Sequence, residues 1–257
     1  MHIDQKLPPS ELLKKHGPFW YNDWFNSPYY HQLYKNRNDQ EAQHFLDHLS
    51  KHFQFMPEHE ILDLACGKGR HAIYLHGLGL KVNGLDLAPS NIAHASSFAT
   101  PRLSFRVHDM REHFGTETYD FVLNLFTSFG YFEHENENAT VIKNIARSLK
   151  KNGKVVVDYL NPYHTLSQFV PHEVKEVNGI HFNIRREIER GFIRKFISVN
   201  SQGQKYHFLE NVKLLFPSDF EAYFDNAGLK LTQLMGNYDL QPYEQRHSPR
   251  MILIGEK

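Results

Sequence analysis

Apolar positions recur with two periods along this chain, and the switches between them mark its organisation. Short apolar runs at Ile61 to Leu64, Val82 to Leu85, Leu103 to Val107, Tyr119 to Leu125 and Lys154 to Leu160 read as buried strands. Helical spacing falls between them. Ala42, Phe45, Leu46 and Leu49 predict a helix from about Asn38 to His52, and His71 to Leu78 predicts a second. Val141, Ile142, Ile145, Ala146 and Leu149 predict a third over Glu137 to Lys150, and Ser218 to Ala227 a fourth. Strands alternating with helices in this way predict an α/β sheet. The stretch 161–216 breaks the alternation. His172 to Val177, Ile180 to Ile188, Phe192 to Asn200 and Gln204 to Leu215 are strand-like, and Asn178-Gly179, Arg190-Gly191 and Gln202-Gly203 separate them. Those dipeptides are hairpin signals, so an antiparallel flap is expected. Leu229 to Met235 and Met251 to Gly255 are the last two strand-like runs.

The candidate chemistry sits where the first strand ends. Ile61-Leu-Asp-Leu-Ala-Cys-Gly-Lys-Gly-Arg-His71 is an apolar run interrupted by Asp63 and followed by Gly67 and Gly69, and Asp86 closes the next run. The glycines let the backbone turn tightly against a ligand, and the amides of the following helix face that ligand. Asp86 can accept hydrogen bonds from a ribose diol. A dinucleotide fingerprint would place a third glycine at position 72 and no acid in the turn. Here position 72 is Ala, and the Asp63 carboxylate suits a cofactor carrying an ammonium group.

Composition narrows the picture. The 257 residues suffice for one cored domain with additions, expected as 1–56, then 57–160 with 217–257, then 161–216. Lysine plus arginine and aspartate plus glutamate number 29 each, so no basic field for nucleic acid is present. The single cysteine, Cys66, excludes an intrachain disulfide and reads as a small residue in the turn. With no signal peptide and no long apolar span, a cytoplasmic protein without membrane partners is expected. Eighteen histidines invite a metal, but no i, i+4 pair on a convincing helix comes with a third ligand, so none is expected.

These motifs, in this order over residues 57–160, resemble the class I S-adenosylmethionine-dependent methyltransferases. The resemblance implies a Rossmann-like α/β sheet of order 3-2-1-4-5-7-6 with the last strand antiparallel, helices on both faces and the inserted β flap. It implies S-adenosyl-L-methionine as cofactor, with S-adenosyl-L-homocysteine as product. Asp63, Ala65, Gly67 and Gly69 form the first motif, and Ala65 stands where the family often has glycine. Asp86 with Leu87, Asp109 with Met110, and Leu125 complete the core cofactor set. In this family Asp109 would face the adenine amino group. Pro28-Tyr-Tyr-His-Gln-Leu-Tyr-Lys-Asn-Arg37 resembles the N-terminal element of a subgroup that includes amino-sugar N-methyltransferases, which adds Tyr30 and Arg37. Phe19, Trp20, Tyr21, Trp24, Phe25, Tyr29, Tyr30 and Tyr34 crowd residues 17–37, which are expected to act as an aromatic lid.

An activated methyl group asks the protein mainly to align an acceptor, exclude water and dispose of a proton. His134, beyond the fourth-strand loop, is the candidate base, Tyr131 could orient the acceptor, and His164 is a second choice. The DNA amino-methyltransferase loop, Asn or Asp before two prolines, is missing, since Leu-Phe-Thr follows Asn124. A small-molecule acceptor methylated on N or O is therefore expected, on a monomer or homodimer. Two other classes stay open: a cofactor-binding regulatory subunit without transfer activity, and a nicotinamide oxidoreductase, against which Asp63 and Ala72 speak.

Overall fold

A computed structural model describes residues 20–35 and 39–257. Arg37 and Phe19 lie outside the described residues. The chain divides into two compact units, one of residues 1–36, 131–133 and 169–214, the other of residues 37–130, 134–168 and 215–257.

The second unit is built on seven strands: β1 (Glu60–Leu64), β2 (Lys81–Asp86), β3 (Leu103–Val107), β4 (Tyr119–Asn124), β5 (Leu149–Leu160), β10 (Lys230–Met235) and β11 (Arg250–Glu256). Their order is β3-β2-β1-β4-β5-β11-β10, the expected 3-2-1-4-5-7-6, and β11 runs antiparallel to both neighbours. Central β1 pairs in parallel with β2 and β4, and is apolar because both its faces are covered. Helix α3 (Asp39–Phe53) shows how sequence becomes packing: Ala42, Phe45, Leu46 and Leu49 lie on one stripe and are all buried. Three of them join Ile61, Ala72, Leu75, Leu123 and Ile252 in one core. That places α3 in the unit of the sheet, although the sequence-based division grouped it with the lid segment. The other helices here are α4 (Arg70–Gly77), α5 (Pro89–Ser96), α6 (Glu135–Ser148), α7 (Pro162–Ser167) and α8 (Pro217–Ala227).

One boundary moved. The spacing predicts a helix to Lys150, yet α6 stops at Ser148 and β5 starts at Leu149. Leu149 is buried and pairs with Tyr119, and Asn152, in the left-handed region at φ 63°, kinks the strand before Gly153. A Cβ at Gly153 would come within 2.9 Å of the Lys150 carbonyl, so glycine permits this close approach.

The first unit carries the flap, a four-stranded antiparallel meander of β6 (His172–Val177), β7 (Ile180–Glu189), β8 (Phe192–Ser201) and β9 (Gln204–Lys213). At each of its three turns both central residues have positive φ: Asn178 and Gly179, Arg190 and Gly191, Gln202 and Gly203. That is the type I′ geometry, whose twist matches the flanking strands. The aromatic segment forms two short helices, α1 (Trp20–Phe25) and α2 (Pro28–Leu33). Ser27 caps α2 by accepting the Tyr29 amide at 3.1 Å, with Pro28 at the first helical position. Trp24 is fully buried, packs on Phe208 and donates its Nε1–H to Glu210 Oε2 at 3.1 Å. The same carboxylate accepts the Tyr34 hydroxyl at 2.6 Å and pairs with the Lys195 ammonium.

Burial alone would raise the Glu210 carboxyl, but Lys195, Tyr34 and Trp24 outweigh it and hold the group below the usual glutamate range. A depressed folded-state pKa contributes stability above the ordinary glutamate value that is lost as pH falls through the lowered one. Lys195→Met leaves a buried carboxylate without its cation and should destabilise this unit by about 3–5 kcal/mol at neutral pH. Both tryptophans of the chain lie in this unit, so urea unfolding followed by tryptophan fluorescence reads the effect. Equal midpoints for parent and variant would show that the buried pair does not hold the helices to the flap.

Candidate functional site

The turn after β1 is shaped by backbone that side chains resist. Ala65, Gly67 and Gly69 have φ of 63°, 57° and 83°. Ala65 thus adopts a left-handed conformation that a glycine would take without strain. A Cβ on Gly69 would lie 2.8 Å from Phe105 and 3.1 Å from Ala95, so only glycine fits. The Cys66 amide donates to Leu85 O at 2.9 Å and the Gly67 amide to Asp86 Oδ2 at 2.8 Å, tying the turn to the end of β2. Cys66 is buried, and burial together with Asp63 and Asp86 pushes its thiol far above the ordinary range. It is no nucleophile.

Two acids face this turn. Asp63 is 1% exposed and its Oδ2 accepts the Ala72 amide at 3.2 Å, at the N-terminus of α4. Burial pushes its carboxyl up to about 7; the Ala72 amide opposes this, Asp86 adds to it and Arg70 offsets part. Asp86 Oδ1 accepts the Ala88 amide at 2.9 Å, and burial raises this carboxyl too, against the Ala88 and Gly67 amides and Asn91. Neither acid has a lysine or arginine within ion-pair distance among the described residues. A dinucleotide pyrophosphate would need the helix N-terminus that Asp63 already occupies.

The loop after β4 is the second wall. Phe126 and Thr127 both take positive φ, 58° and 62°, a strained pair for side-chain-bearing residues. Asp158, fully buried on β5, holds them there. Its Oδ2 accepts the Phe126 amide at 2.8 Å and the Tyr238 hydroxyl at 3.2 Å, while its carbonyl accepts the Thr127 amide at 2.9 Å. Arg250 donates Nε–H to Asp158 Oδ1 at 2.7 Å and Nη2–H to the Thr127 hydroxyl at 2.9 Å. The Phe126 ring stacks on His71 with centroids 5.0 Å apart, and His71 Nδ1 lies 3.9 Å from Asp63 Oδ1. Burial pulls His71 down to about 3, so its ring is neutral at physiological pH. Asn124 ties the walls together, donating to Leu64 O at 3.1 Å and Ser128 O at 3.2 Å. Two buried atoms here, His71 Nε2 and Asn124 Oδ1, have no hydrogen-bond partner, an arrangement that a polar ligand would relieve.

The remaining predicted residues are dispersed. Leu87 and Met110 lie half-buried beyond β2 and β3, and Leu125 is buried. Asp109 is held by Arg111, whose Nη2 and Nε reach Oδ2 at 2.6 and 3.1 Å and whose amide reaches Oδ1 at 2.9 Å. Burial would raise the Asp109 carboxyl, but these contacts keep it low. Arg111 also pairs with Glu137 at 2.6 Å. Tyr30 packs edge-on or tilted against Trp24, Phe25 and Tyr34, and Tyr131 likewise against Trp20 and Phe25, all in the unit of the flap. His134 is exposed at the start of α6, its amide donating to Glu137 Oε2 at 3.2 Å; His164 is half-exposed on α7. His44 and His48 form an i, i+4 pair on the predicted helix, and the third neighbour that the sequence did not reveal is Asp239.

Sequence reading missed Asp158, Arg250, Tyr238, Arg111 and His71. One signal was present: an acid inside the apolar run Val155-Val-Val-Asp-Tyr159 is costly unless partnered.

Residues 61–153 match the family model described as a methyltransferase domain. Those residues are thus a methyltransferase domain, set in a chain that has the fold of S-adenosylmethionine-dependent methyltransferases. Among curated relatives, the ubiquinone biosynthesis O-methyltransferase of Rickettsia felis is 24% identical over 143 residues, 54% of this chain and 57% of that protein. The chain thus spans a little over half the length of that relative. The dTDP-3-amino-3,4,6-trideoxy-alpha-D-glucopyranose N,N-dimethyltransferase of Streptomyces venezuelae is 25% identical over 199 residues, 68% of this chain and 77% of that protein. An S-adenosylmethionine-dependent methyltransferase from Clostridium acetobutylicum shares the fold, with a TM-score of 0.76 at 16% identity over 92% of this chain and 98% of that one. The methyltransferase sheet thus supplies the turn, and its neighbouring strand ends supply the acids.

Two substitutions in the turn should act in opposite directions. Ala65→Gly relieves a left-handed alanine and should stabilise the protein by up to about 1 kcal/mol, net of glycine's own entropy. Gly69→Ala adds both strain and overlap with Phe105 and should destabilise by about 2 kcal/mol or more. Denaturant midpoints check both, and equal effects would mean the turn is not shaped as described.

Proposed function

We propose that this methyltransferase moves a methyl group from S-adenosyl-L-methionine to a nitrogen or oxygen of a small-molecule acceptor. The observation that carries the reading is the pair of buried acids without cations at the glycine turn, one of them already on the helix N-terminus. When bound, the cofactor supplies an activated sulfonium methyl. Asp63 would meet the ammonium of its amino-acid end, directly or through water, with Asn124 Oδ1 as a further acceptor. Asp86 retains acceptor capacity for the ribose hydroxyls, and Leu87 and Met110 would flank the adenine. Asp109 is committed to Arg111, so adenine contact there would draw on this pair rather than on a free carboxylate. Ala65, Gly67 and Gly69 keep the turn low enough for close approach, and Leu125 closes the wall beside it.

For the acceptor, the Streptomyces venezuelae relative acts on an amino sugar, and the balanced charge argues against a polymer on a basic face. We favour an amine taken up in its neutral form. An oxygen acceptor, as the O-methyltransferase relatives suggest, is the second reading. Tyr131 would orient the acceptor and solvent-exposed His134 would take the proton. No metal is needed for this transfer. A regulatory role without transfer is distinguished by activity alone.

Calorimetry should show S-adenosylmethionine or S-adenosylhomocysteine binding and no NAD binding. Asp86→Ala removes charge-assisted bonds and should weaken binding by about 10- to 100-fold. Label should pass from the methyl-labelled cofactor to amino sugars in a metabolite extract, and not to tRNA, DNA or bulk protein. His134→Ala should lower turnover about 10²- to 10⁴-fold with cofactor affinity intact. Full activity in His134→Ala would remove that residue from the mechanism; tight NAD binding would overturn the cofactor itself.

A further inference from the structure

Three residues that methyl transfer leaves unused meet on the unit of the large sheet. His44 and His48 are one turn apart on α3, their rings 4.4 Å apart between centroids. Asp239 arrives from the β10–β11 connection, 195 residues along the chain from His44, and its Oδ1 lies 2.7 Å from His44 Nε2. One ligand atom from each of the three lies within 4.8 Å of the others, and no other such cluster occurs among the described residues. The tautomer of His48 matters most. Its Nδ1–H donates to the His44 carbonyl at 2.8 Å, which leaves the lone pair on Nε2. A ring that spends one N–H on a backbone carbonyl and keeps the other nitrogen bare is the arrangement of a metal-bound histidine.

We propose that His44, His48 and Asp239 form a binding site for a divalent ion of the zinc type, two imidazoles and one carboxylate with the remaining position left to water. Such a donor set suits zinc, nickel and copper and is poor for calcium or magnesium, which prefer all-oxygen shells. Ligand atoms around a tetrahedral zinc stand about 3.3 Å apart, given bonds of about 2.0–2.1 Å. His44 and Asp239 therefore part slightly and His48 draws in. The His44 and Asp239 side chains are 52% and 54% exposed, so these shifts disturb no core.

The site is a clip rather than a catalytic centre. It joins α3 to the connection whose next residue back, Tyr238, stacks on Phe45 at 4.5 Å and donates its hydroxyl to Asp158. Asp158 in turn holds the strained Phe126–Thr127 loop. Fixing Asp239 thus stiffens the brace behind one wall of the candidate site. Acid should release the metal, since protons compete for the same nitrogen lone pairs.

The test uses the full chain, freed of metal with a chelator and titrated with zinc chloride by calorimetry. With eighteen histidines in the chain, the variants carry the assignment. The expected result is one zinc per chain, with affinity reduced at least about tenfold in His48→Ala and in Asp239→Asn. In chelator both variants should melt as the parent does. Zinc should also slow hydrogen exchange of the amides around residues 237–241 in the parent and not in Asp239→Asn. Absence of zinc binding, or equal binding by the parent and a His44→Ala/His48→Ala double variant, overturns the proposal. Zinc binding without protection of that segment overturns the clip.

Discussion

One hydrogen bond decides what the sheet can hold: the Ala72 amide on the buried Asp63 carboxylate. The N-terminus of α4 would otherwise be a seat for phosphate, because its free amides and its dipole both favour an anion. Asp63 takes that seat with a group of the chain itself, so the turn becomes a place that is short of positive charge. Asp86 lies at the end of the adjacent strand in the same condition. Parallel register makes this unavoidable: Asp63 pairs with Gly84 and Leu64 with Leu85, which carries Asp86 to the mouth of the turn.

The opposite wall depends on a buried ion pair. Asp158 is fully buried and Arg250 nearly so. Such a pair adds little to stability compared with a well-packed apolar pair, yet removing one partner is costly. Its use here is geometric. It holds two consecutive residues, Phe126 and Thr127, in a conformation they would leave if released, and so fixes the ring that stacks on His71. Tyr238, stacked on both Phe45 and Phe126, extends that brace to α3.

Local features were legible in the sequence. The apolar runs, the glycine turn and the Asn-Gly and X-Gly hairpins all rest on neighbours within a few residues, and the structure has each of them; the order of the sheet, which no periodicity encodes, came with the family resemblance. Ala65 was visible as a departure from the family, and its φ of 63° gives the departure a physical cost. What the sequence concealed is long-range. Asp158 meets Arg250 across 92 residues and His44 meets Asp239 across 195, separations that no periodicity encodes. Arg111 was two residues from Asp109 and still overlooked, because a loop arginine gives no sign of turning back on its neighbour. The helices α1 and α2 were hidden by aromatic crowding, although Ser27-Pro28 carried a cap signal.

The central claim is that Asp63 is a carboxylate waiting for a cation, and its own titration tests this most directly. Carbon-13 NMR of the Asp63 carboxyl should show it titrating near 7 in the free protein, as its burial dictates. On saturation with S-adenosylhomocysteine, whose amino-acid end brings an ammonium, the midpoint should fall by about one unit or more. A carboxyl that titrates at the ordinary value in the free protein, or one whose midpoint is unmoved by the ligand, would contradict the account.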